Sequence, residues 1–258
     1  MAESSSHEAL KRDFGRWLRG ELALLAAMLA IGVSGVYVYQ NRENAPVKRI
    51  TRLLALAEQS AQEGDREQAL KHTLHAYDLV KSINRRDHHL FELAFAIAAQ
   101  YESLGRGQPA TKYYLDALEH LNDFNDGALR VRNRIVTLDR IAQCYDDRRQ
   151  IQTAEKYYRL SVAAYDEHRG KRALSPRSTD TAEIAELRAV ECEISAVLHN
   201  YGHHLLGQQR WTEAKRVLQR ASRLGRAASI SGEELALIDR QLDRVQDPAA
   251  KAAQPDDK

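Results

Sequence analysis

LDRIAQCYDDRRQIQTAEKYYRLS, residues 138–161, carries the pattern that decides the fold. Ile141 and Ala142 set a bulky residue beside a small one, and Tyr145 follows one helical turn further along the same face. Beyond the polar run DDRRQ, Ala154, Tyr158 and Ser161 recur at four and three residues, again the helical repeat. Two amphipathic helices joined by a short polar turn make a helical hairpin. Small residues on their facing sides bring the two axes close together, because interaxial distance follows the side chains at the contact.

The same pattern appears three more times. It is found in LLALAEQSAQEGDREQALKHTLHA (53–76), AFAIAAQYESLGRGQPATKYYLDA (94–117) and LHNYGHHLLGQQRWTEAKRVLQRA (198–221). The bulky-small pair is Leu56-Ala57, Ile97-Ala98 and Tyr201-Gly202, followed by Ser60, Tyr101 and Leu205. On the second helix stand Ala69, Ala110 and Ala214, then Thr73, Tyr114 and Leu218, then Ala76, Ala117 and Ala221. These offsets resemble those of the tetratricopeptide (TPR) repeat, over about residues 50–226. The departures are that no segment ends in the usual proline and that the first lacks its tyrosine. The resemblance implies an all-α fold, an α-solenoid of about four helical hairpins. The second-helix alanines lie 41, 44 and 60 residues apart, against about 34 in the typical repeat. That surplus predicts lengthened second helices.

In the last interval KRALSPRSTDTAE contains Pro176 among Ser175, Ser178, Thr179 and Asp180, which predicts an exposed loop at about 170–181. Ser231 and Glu234 have the spacing of a capping box, opening a helix through Val245 with Leu235, Ile238 and Leu242 on one face. Such a helix caps the open end of a stack. PAAKAAQPDDK beyond Asp247 has the composition of a disordered tail.

Residues 22–39, LALLAAMLAIGVSGVYVY, run for 18 positions without a charge. As a helix they extend about 27 Å, enough to cross a hydrocarbon core of about 30 Å. Trp17 at one end and Tyr37 and Tyr39 at the other are placed where aromatic rings favour the membrane interface. The run ends without a small-residue cleavage site, so the expectation is a single transmembrane helix, not a removed leader. Lys11, Arg12, Arg16 and Arg19 on one side balance Arg42, Lys48, Arg49 and Arg52 on the other, which leaves the orientation open. Leu10, Phe14, Trp17 and Leu18 add a short basic amphipathic helix before the span. The organisation expected is an amphipathic segment at 1–20, an anchor at 21–40, the repeat domain at 46–246 and a tail at 247–258.

Composition narrows the function. The chain has 258 residues, 38 Lys and Arg against 36 Asp and Glu, and a net charge of +2, so nothing marks a phosphate backbone as partner. Cys144 and Cys192 read as small apolar residues in helices and make no disulfide framework. LGRGQPA (104–110) lacks the Lys and the Ser or Thr of a phosphate loop. His199 and His203 are four apart with His204 beside them, but the glutamate of a zinc hydrolase motif is missing; His72 with His75 and the pair His88-His89 are weaker still. No serine or cysteine lies in a nucleophile motif, and no carboxylate pair is marked for acid–base work. The expectation is a protein with no catalytic residues, cofactor, metal, nucleic acid or small-molecule substrate.

By analogy with TPR arrays, the first helices line the inner curve of the stack. Their lining would be Leu54, Glu58, Gln62, Glu92, Phe95, Glu102, Asp139, Gln143, Asp146, His199 and His203, five of them acidic and none Lys or Arg. Such a face suits protein partners with basic or apolar segments. Leu54 and Glu58 stand where chaperone-docking relatives place Lys and Asn, so carboxylate-tail capture is not implied. The whole arrangement resembles the membrane-anchored adaptors of the mitochondrial inner-membrane i-AAA protease and related respiratory-chain assembly factors. That resemblance implies a scaffold or adaptor in mitochondrial protein quality control or respiratory-complex assembly. The alternatives are a structural subunit of a large membrane complex, a bacterial inner-membrane protein facing the periplasm beside secretion machinery, and a mitochondrial outer-membrane receptor.

Overall fold

The computed structural model describes residues 45–123, 127–173 and 181–246. The expected anchor at 22–39, the amphipathic segment before it and the tail at 247–258 lie outside the described residues. Among the described residues no helix is long and apolar enough to cross a membrane. Those residues are all helical apart from turns. The helices are α1 (Ala45–Gln62), α2 (Arg66–Ile83), α3 (His89–Ser103), α4 (Gly107–His120), α5 (Gly127–Asp146), α6 (Ile151–Ala173), α7 (Thr181–Gly207), α8 (Trp211–Ala228) and α9 (Gly232–Gln246), with a 3-10 turn at Leu121–Asp123. They fall into two compact units, Met1–Asp123 and Phe124–Lys258.

Each unit holds two hairpins, α1–α2 with α3–α4 and α5–α6 with α7–α8, and the partners within each hairpin pack most extensively. The repeated positions are the packed ones. Ala57, Ala98, Ala142 and Gly202 on the first helices are buried, as are Ala69, Ala110, Ala154 and Ala214 on the second. Gly202 shows why the position must be small, since a Cβ there would lie 2.6 Å from both Cγ and Cδ2 of Leu218. Where Ser161 replaces the usual alanine, its buried hydroxyl donates to the Ile135 carbonyl at 2.9 Å, so no polar atom is stranded.

The hairpin turns repeat as closely as the helices. Each first helix is followed by a residue with positive φ: Gly64 (85°), Gly105 (72°), Arg149 (59°) and Gln209 (60°). The next amide donates back to the carbonyl five residues earlier, from Asp65 to Ser60, Arg106 to Tyr101, Gln150 to Tyr145 and Arg210 to Leu205, at 2.9–3.0 Å. This is the Schellman closure, which satisfies carbonyls the helix end leaves open. Two of the four turns use glycine, to which the left-handed conformation costs little, and two impose it on a larger residue.

The surplus length is distributed differently from the expectation. α2 has 18 residues and α6 has 23, but α4 has only 14, whereas the first helices α5 and α7 reach 20 and 27. Alanine spacing measures the period but not on which side of a connector the extra residues fall. Within the predicted loop at 170–181, residues 170–173 instead continue α6 to Ala173 and Thr181 already begins α7; positions 174–180 lie outside the described residues. α9 starts on the expected box, with the Glu234 amide donating to Ser231 Oγ (3.2 Å) and the Ser231 amide to Glu234 Oε2 (3.1 Å). Ile238 and Val245 are buried as α9 packs on α8.

Candidate functional site

The face that the first helices would present to a partner divides, in the structure, into buried, engaged and accessible residues. Leu54 and Phe95 are buried. Phe95 meets the Tyr114 ring edge-on at 5.1 Å and Phe91 at 5.9 Å, inside the first unit. These two are therefore core and not lining. The expected register rests on the offset of the small residue alone, and α3, flanked by α2 and α4, buries nearly its whole circumference from Leu90 to Gln100. Glu102 accepts the Tyr114 hydroxyl at 2.8 Å, which ties the first helix of its hairpin to the second. Glu92 is half-buried, Glu58 is half-buried and 3.4 Å from Gln62 Nε2, and Gln62 is exposed.

In the second unit the expected lining is largely consumed by a ladder between α5 and α7. Arg132 Nη2 pairs with Glu193 at 2.6 Å, Asp139 accepts Asn200 Nδ2 at 3.1 and 3.2 Å, and His204 Nδ1 lies 2.9 Å from Asp146. Asp139 is buried and also accepts Gln143 Nε2 at 2.6 Å. Asp139 is thus a structural carboxylate facing the next helix, and Asp146 and Gln143 are drawn into the same contacts. A buried carboxylate needs such donors, because desolvation without them is costly. Sequence reasoning misses Asn200, and weighs His204 only as a neighbour of the His199 and His203 pair. A signal for them exists: Arg132, Asp139 and Asp146 recur every seven residues on α5, the period at which one helix keeps a stripe toward a neighbour.

His199 is partly buried, and that burial, followed by the proximity of His203, pushes its pKa down to about 4. Its imidazole is neutral at physiological pH. His203 is exposed and meets Gln241 of α9 at 3.3 Å, so the C-terminal helix rests against it. Cys144 is buried as expected of a small apolar residue, but Cys192 is exposed on α7.

Aromatic rings reinforce both units. Tyr101 stacks on Tyr113 at 5.7 Å across the second hairpin and Tyr145 on Tyr157 at 5.5 Å across the third, at matching positions. Tyr158 stacks on Tyr201 at 5.5 Å and lies 5.3 Å from the His204 ring. Burial raises the Tyr158 hydroxyl far above its ordinary pKa, and the nearby Asp139 adds to that, so it stays protonated. Glu155 accepts Arg210 at 2.7 Å and Arg159 at 2.6 Å, and these hydrogen bonds, Arg210 first, hold its pKa down to about 2. Of the expected lining, Gln62 and His203 are exposed, and Glu58, Glu92, Glu102, Gln143, Asp146 and His199 are part-covered.

Comparison with solved structures finds a similar fold in proteins with TPR-like repeats. The chain is similar to a variant of a kinesin light chain-like protein with nearly identical TPR-like repeats from Podosopora anserina, at 17% identity and a TM-score of 0.52 over 82% of this chain and 93% of that one. It is also similar to BtubC (BKLC) from P. vanneervenii, at 15% identity and a TM-score of 0.54 over 93% of this chain and 95% of that one. At such identities the likeness is one of fold. No family model and no curated protein matches the chain.

Proposed function

We propose that this chain is a non-catalytic scaffold or adaptor that binds other proteins through its TPR-like hairpins and is held at a membrane by residues 22–39. The observation that carries the reading is the repetition itself. Four hairpins share one packing register and one turn closure, an architecture that offers extended helical faces to other chains. The uncharged run at 22–39 is the argument for anchorage. On this reading the protein belongs to the mitochondrial inner membrane, where its array recruits clients for quality control or complex assembly. With Leu54 and Phe95 buried and Glu102 bonded to Tyr114, the contact surface of the first unit centres on Glu58 and Gln62.

Proximity labelling of the tagged native chain, followed by carbonate extraction, tests the reading. The expected result is a carbonate-resistant protein whose labelled neighbours face one side of one membrane. Release into the carbonate supernatant overturns the anchor. Labelled neighbours that are present with the wild type but fall away in Glu58→Arg with Gln62→Arg support the contact surface, and an unchanged set overturns it.

A further inference from the structure

We propose that Asp87, His88 and His89 form a binding site for a late first-row divalent cation, Zn²⁺ in the first instance, at the joint between the first two hairpins. One potential ligand atom from each residue lies within 4.8 Å of the other two. Asp87 Oδ1 is 2.9 Å from His89 Nδ1 and 4.0 Å from His88 Nδ1, and the two imidazole rings are 3.8 Å apart. Zinc bonds nitrogen and carboxylate oxygen at about 2.0–2.2 Å, so neighbouring ligands in its tetrahedron stand about 3.4 Å apart. His89 and Asp87 are already nearly at that spacing. His88 needs to close by less than about 1 Å to reach it, and its side chain is 68% exposed and able to rotate. Two imidazole nitrogens and one carboxylate favour zinc, nickel or copper over the oxygen-seeking magnesium and calcium.

The carboxylate is held in place before any ion arrives. The Asp87 amide donates to the Asn84 carbonyl at 3.2 Å, the Arg86 amide to Asn84 Oδ1 at 3.0 Å, and the His89 amide to Asp87 Oδ1 at 3.0 Å. Part of the ordering cost of binding is therefore already met. The entering cation takes the Nδ1 lone pair of the neutral His89 ring in its Nε2–H tautomer, so the ring hydrogen that faced Asp87 Oδ1 is carried by water to Nε2 and the ring stays neutral. Water takes the coordination positions that the three side chains leave open. Because all three ligands belong to the connector and the first turn of α3, a bound ion fixes the start of the second hairpin and stabilises the folded state by linkage.

Isothermal titration of the full chain, free of affinity-tag histidines, with Zn²⁺ decides the matter, with thermal unfolding and the visible spectrum of bound Co²⁺ as further readouts. The expected result is one ion per chain, a rise in Tm, and an affinity lowered about tenfold or more in His88→Gln and His89→Gln but kept in His203→Gln. His88 is exposed, so its replacement leaves the fold intact. Absence of binding to the wild type overturns the proposal. So does an affinity unchanged in both His88→Gln and His89→Gln, or one lost in His203→Gln instead.

Discussion

Gly202→Ala puts the packing of the fourth hairpin to a quantitative test. In a helix interior this change ordinarily stabilises by about 1 kcal/mol through lost backbone freedom of the unfolded chain. At Gly202 the new methyl would sit 2.6 Å from Leu218 Cγ and Cδ2 and 3.5 Å from Cδ1. Cγ is the branch point of a fully buried side chain, so rotating the tip alone does not clear it. Overpacking of this kind costs about 1–3 kcal/mol, which leaves Gly202→Ala neutral to about 2 kcal/mol destabilising once the propensity gain is subtracted.

Two companions calibrate it. Gly170→Ala, inside α6 with nothing within 4 Å of the added methyl, reports the propensity gain alone. Leu218→Ala costs about 2–5 kcal/mol by itself, but combined with Gly202→Ala it removes the clash, so the double variant is more stable than the sum of the two losses by about 1–3 kcal/mol. Urea denaturation followed by helical circular dichroism measures all four. If Gly202→Ala stabilises as much as Gly170→Ala, or the cycle is additive, the close approach of α7 and α8 at this point is refuted.

Three other outcomes follow from the same geometry. Arg149→Gly and Gln209→Gly relieve positive φ at the hairpin turns and raise stability by up to about 1 kcal/mol, whereas Gly64→Ala and Gly105→Ala lower it by about 1 kcal/mol; denaturant midpoints give the signs. His199 has an ordinary pKa of 6.5 and a folded value of about 4, so the unfolded chain takes its proton first as the pH falls. Stability is then full above about pH 6.5 and declines toward pH 4, by up to about 2 kcal/mol at pH 5. His199→Leu removes that slope, and equal slopes in variant and wild type count against the buried neutral imidazole. Asn200→Ala strips Asp139 of a donor and costs about 1–3 kcal/mol, seen as a lowered Tm, while Asn200→Asp costs more by setting two carboxylates face to face.

The packing register is legible in the sequence because it is dictated locally. A small residue beside a bulky one, repeated at helical offsets, has one economical use, and Ala57, Ala98, Ala142 and Gly202 are all buried there. The capping box at Ser231 is legible for the same reason, since both partners lie within four residues of each other. The lining is harder to read, because an outward-facing position on one first helix becomes an inward-facing one when the next first helix packs against it. Taken by itself Asp139 reads as a solvated acid, and it is the pairing with Asn200, 61 residues away, that buries its charge. An acidic stripe on a repeat helix thus has two physical outcomes, a solvated face or a ladder to the neighbour, and the spacing separates them. Arg132, Asp139 and Asp146 at intervals of seven follow the helix–helix seam. Glu58 and Gln62, at an interval of four, bond to each other along α1 and keep to their own surface. The region where this chain can meet a partner is therefore read best from the acids that do not fall on the seven-residue seam.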